Sequence, residues 1–179
     1  MRLLLAGLLA GLLAGCGSTG LPDATGGNAA ADMFAPAAMR IHPIFSQARS
    51  WSGGAGLDGF EALVEFQDLF GDPTKAAGTF LFELYEYRPA RPDPRGRRLA
   101  TWAASIQSMD EQNQRWNRTS RTYGFRLAYP PTRHGRAYVL SATFQASGAG
   151  RFIDQVVIET PAEERRDRPD QPSTRPLAP

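Results

Sequence analysis

Cysteine, lysine and histidine are almost missing from this chain. Its 179 residues include one cysteine, Cys16, one lysine, Lys75, and two histidines, His42 and His134. A lone thiol cannot close an internal disulfide, and clustered Cys and His for a zinc site are lacking. Nucleophilic catalysis needs a nucleophile with a base in reach. Both histidines sit beside breakers, at His42-Pro43 and His134-Gly135, and no Gly-x-Ser-x-Gly elbow marks a serine. The opening apolar run, Leu3 to Gly15, has 13 residues, too few for a membrane-spanning helix of about 20. A strong basic excess is lacking as well. Lys and Arg number 20 against 18 acids, a formal charge of +2, which gives no electrostatic footprint for nucleic acid. Nineteen of the 20 bases are arginine, a compositional bias that carries no mechanism.

What is present begins with that first stretch, MRLLLAGLLAGLLAGCGSTG. Arg2, an apolar core from Leu3 to Leu13, then Ala14-Gly15 follow the order of a secretion signal. Gly7, Gly11 and Gly15 form overlapping Gly-x-x-x-Gly patterns, which mean helix dimerisation only in a longer apolar segment. Leu13-Ala14-Gly15-Cys16 resembles the lipobox of bacterial lipoproteins. That resemblance implies cleavage before Cys16, a covalent lipid on its sulfur, and anchoring to a bacterial membrane with the domain outside the cytoplasm. An exported chain meets an oxidising compartment, where a thioether to lipid accounts for the leftover thiol. Two or more acyl chains anchor firmly where one does not. In lipoproteins sorted between two membranes, Asp after the Cys marks retention in the inner one; Gly17 here points to the outer membrane. No other cofactor is expected.

Residues 17–38 are rich in Gly, Ala, Thr and Asn, and 161–179 hold five prolines, four arginines and four acids with Leu177 as the one large aliphatic residue. Neither stretch can bury enough apolar surface to offset the entropy of ordering. The expected organisation is a signal at 1–15, Cys16 and a flexible tether over 16–38, one domain at 39–160, and a disordered tail at 161–179.

Within 39–160 the apolar period is two, the signature of half-buried strands. Phe60, Ala62, Val64 and Phe66 alternate with Glu61, Leu63 and Glu65. Phe80, Phe82 and Leu84 alternate with Leu81, Glu83 and Tyr85; Tyr123, Phe125, Leu127 and Tyr129 with Gly124, Arg126 and Ala128; Tyr138, Leu140, Ala142 and Phe144 with Val139, Ser141 and Thr143. Residues 152–159 make a further strand. Two weaker ones are expected at Ile41–Phe45 and Leu99–Ala104. Turn chemistry at Gly71-Asp72-Pro73, PPTRHG and SGAG separates them. Ser108 and Glu111 have capping-box spacing, which predicts one or two helical turns in SMDEQNQRW. About seven short strands without a long amphipathic helix predict an all-β, antiparallel β-sandwich.

HGRAYVLSATF resembles the penultimate strand of immunoglobulin-like domains, with Tyr138 in the place of their corner tyrosine. The Asp-x-x-Gly-x-Pro turn at Asp68–Pro73 is similar to turns in bacterial immunoglobulin-like and transthyretin-like domains. The whole chain resembles small bacterial lipoproteins that carry one such sandwich, a likeness that implies a fold and no activity.

The chemistry-bearing residues are sparse. Asp58, Asp68 and Asp72 lie near turns and form a weak candidate calcium set, or else act as turn formers. Glu61, Glu65 and Glu83 are the acids a glycosidase pair would draw on, though alternation turns them to solvent. From Asp58 to Glu86 seven acids meet one base; from Arg88 to Arg136 eleven arginines meet three acids. This layout suits cross-strand pairing, or a two-signed docking surface. Leu81, Tyr85, Tyr87 and Trp102 fall opposite the inferred core face, a candidate interface unless loops or residues 39–52 cover them. The expected function is a non-catalytic binding or structural module at the cell envelope, with an envelope protein or a glycan as partner. A glycan or small-ligand binder and a minor envelope enzyme are the alternatives.

Overall fold

Antiparallel pairing of strands with one apolar face builds two sheets. The computed structural model describes residues 32–53, 56–132, 134–148 and 150–162. The signal, Cys16, Gly17, residues 18–31 of the tether and nearly all of the tail lie outside the described residues. The strands are β1 (Ala38–Ile41), β2 (Gln47–Arg49), β3 (Leu57–Gln67), β4 (Pro73–Thr74), β5 (Gly78–Tyr87), β6 (Arg95–Ser105), β7 (Trp116–Asn117), β8 (Thr122–Thr132), β9 (Ala137–Ala146) and β10 (Arg151–Glu159), and a short helix, α1 (Met109–Arg115), lies between β6 and β7. Ten segments therefore stand where about seven strands are expected. The three shortest, β2, β4 and β7, have two or three residues, below the length at which a period can be read.

One sheet runs β1-β3-β8-β7, with β2 and β4 also paired to β3; the other runs β10-β9-β5-β6. In immunoglobulin letters these are A-B-E-D and G-F-C-C′. Tyr138 lies on β9, the F position, and its ring meets Phe60 of the facing sheet at 5.4 Å. The inward residues predicted for β3, β5 and β9 are buried without exception, as are Tyr123, Phe125 and Leu127 of β8. They meet as an aromatic cluster. Phe80 lies 4.6 Å from Phe144 and 4.7 Å from Phe125, and Phe66 lies 4.7 Å from Phe144.

The strand predicted at Ile41–Phe45 is displaced. β1 stops at Ile41, and residues 42–46 turn away, with the Ser46 amide donating to the His42 carbonyl at 3.0 Å. Pro43 has no amide for a ladder. Buried Ser46 stands in for the missing strand, its Oγ accepting from the Leu63 amide at 3.0 Å. The strand predicted at Leu99–Ala104 extends over Arg95–Ser105, because pairing to β5 draws in polar residues that carry no apolar signal. The capping box forms as predicted: Ser108 caps α1 through the Glu111 amide, and Glu111 reaches back to the Ser108 amide at 2.8 Å.

Candidate interaction surfaces

Directly paired residues of an antiparallel ladder share a face, so the register of β10-β9-β5-β6 defines its outer surface row by row. One row is Ile153, Thr143, Leu81 and Ala103; another, four residues along, is Val157, Val139, Tyr85 and Arg98. Between them runs a polar row of Gln155, Ser141, Glu83 and Thr101. Leu81, Tyr87, Ile153 and Val157 are all exposed, Ile153 at 60%. β1 and β2 lie at the edge of the opposite sheet, and on this face Val139 and Ser141 of the central strand β9 are buried. Glu83 is ion-paired to Arg98 at 2.9 Å. Partial burial, then this carboxylate, raise the Tyr85 phenol above its ordinary value of 10.0. Ile153 and Val157 are the members that sequence reasoning missed. Their alternation with Val156 and Ile158 reads as a fully buried strand, and only the register shows which residues face out.

Trp102 does not belong to this surface. It pairs with Phe82, on the inward side, and packs against the core margin. Its indole N–H donates to the Ala128 carbonyl at 3.0 Å, closing the gap between β6 and β8. β6 is an edge strand with small apolar residues on both faces, so parity alone misassigns it.

The three aspartates do not converge. Asp58 starts β3 and Asp68 follows its end, about 30 Å apart at ~3.3 Å per residue. Asp58 and Asp68 already accept backbone hydrogen bonds. Asp58 accepts from the Trp51 and Ser52 amides at 2.9 Å each, and these bonds hold its carboxyl below 3.8. Asp68 Oδ1 accepts from the Phe70 and Asp72 amides. No group of three potential ligands forms among the described residues. Glu61 and Glu65 face out from one sheet and Glu83 from the other, so two sheets separate them. Cross-strand pairing accounts for part of the charge layout: Arg49 with Glu61, Arg97 with Glu86 and Arg98 with Glu83, all at 2.8–2.9 Å.

A second surface was not legible in the sequence. On the outer side of β3 and β8, against α1 and β7, an open groove of about 490 Å³ is lined by Glu61, Leu63, Arg115, Trp116, Arg118 and Arg126 among others. Glu61 is committed to Arg49. None of the three arginines forms an ion pair among the described residues, and the Arg115 guanidinium lies 4.9 Å from the Phe125 ring. Guanidinium groups so placed suit carboxylate or phosphate oxygens. The eleven arginines of the basic stretch are evident from sequence; which three converge is set by folding. No helix of the described residues is long and apolar enough to cross a membrane. No protein-family model, no curated protein and no solved structure matches this chain.

Proposed function

We propose that this chain is an exported lipoprotein, anchored through Cys16, whose sandwich is a non-catalytic binding module at the cell envelope. The observation that carries the binding role is the set of exposed apolar side chains, Leu81, Tyr87, Ile153 and Val157, on the outer face of the β10-β9-β5-β6 sheet. Exposed apolar side chains lie there on either side of a polar row, so apolar contact area and hydrogen-bonding groups stand next to one another. The anchor rests on Leu13-Ala14-Gly15-Cys16, and Gly17 favours the outer membrane.

The test is in-cell cross-linking of a tagged chain, followed by mass spectrometry of the membrane fraction. The double variant Leu81→Asp/Ile153→Asp should lose the cross-linked envelope protein while keeping the thermal midpoint of the parent, because both side chains are already exposed. Retention of the same partner by that variant overturns the assignment of this face. Cys16→Ala should abolish acylation and processing; a variant that still runs at the mature size overturns the anchor.

The arginine-lined groove favours a second reading, recognition of an anionic glycan or small ligand. Binding of acidic oligosaccharides that disappears in Arg118→Glu/Arg126→Glu, with the outer sheet face untouched, would select it.

A further inference from the structure

The turn after β3 places large apolar side chains where none is needed for folding. Asp68 and Asp72 close a five-residue hairpin: the Asp68 amide donates to the Asp72 carbonyl at 3.0 Å and the Gly71 amide to the Asp68 carbonyl at 3.1 Å. Gly71 takes φ +84°, a conformation glycine adopts without a Cβ penalty. Leu69 and Phe70 are the two central residues of this turn, the positions turned furthest from the sheet. Polar or small residues ordinarily fill such positions. Here Leu69 is 68% and Phe70 65% exposed. Phe34, 62% exposed, lies beside them with its ring 6.2 Å from that of Phe70, and Met33 adjoins it at 40%. Thr74 Oγ1 fastens this segment to the turn by donating to the Phe34 carbonyl at 2.9 Å. Met109, 76% exposed, stands at the same end of the sandwich, where β6 gives way to α1.

This apolar end is where the chain comes in from Cys16. β1 begins beside the end of β3, with Ala38 paired to Gln67. Fifteen residues separate Cys16 from Asp32, and a Gly/Ala-rich stretch of that length has a root-mean-square span of only about 21 Å as a coil. β3, eleven residues long, alone extends about 35 Å at ~3.3 Å per residue. A bilayer holding the Cys16 acyl chains is therefore nearest to this end. β10 ends at the opposite pole, with its last residue, Glu159, paired to Ala137 at the start of β9.

We infer that Leu69, Phe70, Phe34 and Met33 insert into the interfacial layer of the anchoring bilayer and dock the sandwich upright on its lipid surface. The occupant is the lipid itself, and the inference rests on the anchor reading. Insertion of exposed apolar side chains adds to the hold of the acyl chains. It also fixes orientation, so both the outer sheet face and the arginine groove stand at right angles to the membrane. Lys75, Arg118, Arg121 and Arg151 stand at this end together with Asp32, Asp72 and Asp110, so docking is apolar in origin and weakly dependent on salt.

The experiment uses the full lipidated chain, purified from cells and reconstituted into phosphatidylethanolamine–phosphatidylglycerol vesicles. Phe70→Cys and, at the opposite pole, Arg91→Cys are each labelled with a thiol-reactive nitrobenzoxadiazole. The expected result is blue-shifted emission at residue 70, lost when doxyl-labelled lipids are included and unchanged in high salt, with water-like, unquenched emission at residue 91. Water-like emission at residue 70 overturns the inference. So does blue-shifted emission that doxyl lipids do not quench, since then another segment of this chain or a second copy covers the turn. Labelling of the parent chain, whose one thiol is Cys16, would instead show the anchor reading to be wrong, and the two failures remain distinguishable.

Discussion

Tyr123 shows how one residue ties the helix to the sandwich. Its ring is fully buried, and burial raises its phenol above the ordinary value. Gln112 of α1 donates to the carbonyls of Ala76 and Ile106 at 2.6 and 2.8 Å. Those two carbonyls fix the amide orientation, which leaves Oε1 to accept from the Tyr123 hydroxyl at 2.6 Å. Tyr123→Phe keeps the packing and strands that amide oxygen, so a loss of about 1–3 kcal/mol is expected from urea denaturation. An unchanged midpoint would show that solvent satisfies the group. This network has no sequence signature, because residues 76, 112 and 123 meet only after three elements have packed.

The elements most exposed to pH are the loops closed by carboxylates. Asp58 is held down by the amides of Trp51 and Ser52, Glu86 by Arg97, Asp93 by Arg95, and Glu111 by the Ser108 amide and hydroxyl. A depressed folded value means that the carboxylate favours the folded state above the ordinary value, and that this contribution is lost as pH falls through the depressed one. The loops should therefore loosen only as pH falls below the ordinary carboxylate range and stay closed at neutral pH. The protection factors of the Trp51 and Ser52 amides, corrected for the intrinsic pH dependence of exchange, should fall in acid, and Asp58→Asn should remove that acid step. A protection factor that does not change in acid would show that the Trp51 ring, seated over Gly59, closes this loop instead. At the same scale, the capping box of α1 and the turn at Asp68–Pro73 were legible because their residues are local. The inward face of Trp102 was not, since a pairing partner distant in sequence, Phe82, decides it.

For the whole molecule, the two sheets close across β1 and β10 as well as through the core. The Ile41 amide donates to Asp154 Oδ2 at 2.7 Å, joining strands from the two ends of the domain. β3 pairs with β8, more than fifty residues away, and β5 with β9. Such non-local pairing must overcome loop-closure entropy before it is stabilised, so refolding is expected over milliseconds to seconds. Stopped-flow tryptophan fluorescence would check this, and microsecond refolding would contradict it. The same arrangement puts the N-terminal segment and the end of β10 at opposite poles of the sandwich.

By itself the sequence determined the parts that depend on local order and period. These are the all-β class, the inward residues of β3, β5, β8 and β9, and the turns and helix cap. Burial of alternate residues is a property of each strand alone. Tertiary structure decided which residues share a surface: Ile153 with Leu81, Arg115 with Arg126, Phe34 with Phe70, and Trp102 with the core. Register and sheet order set those neighbours, and both arise from long-range pairing that no short window of sequence contains.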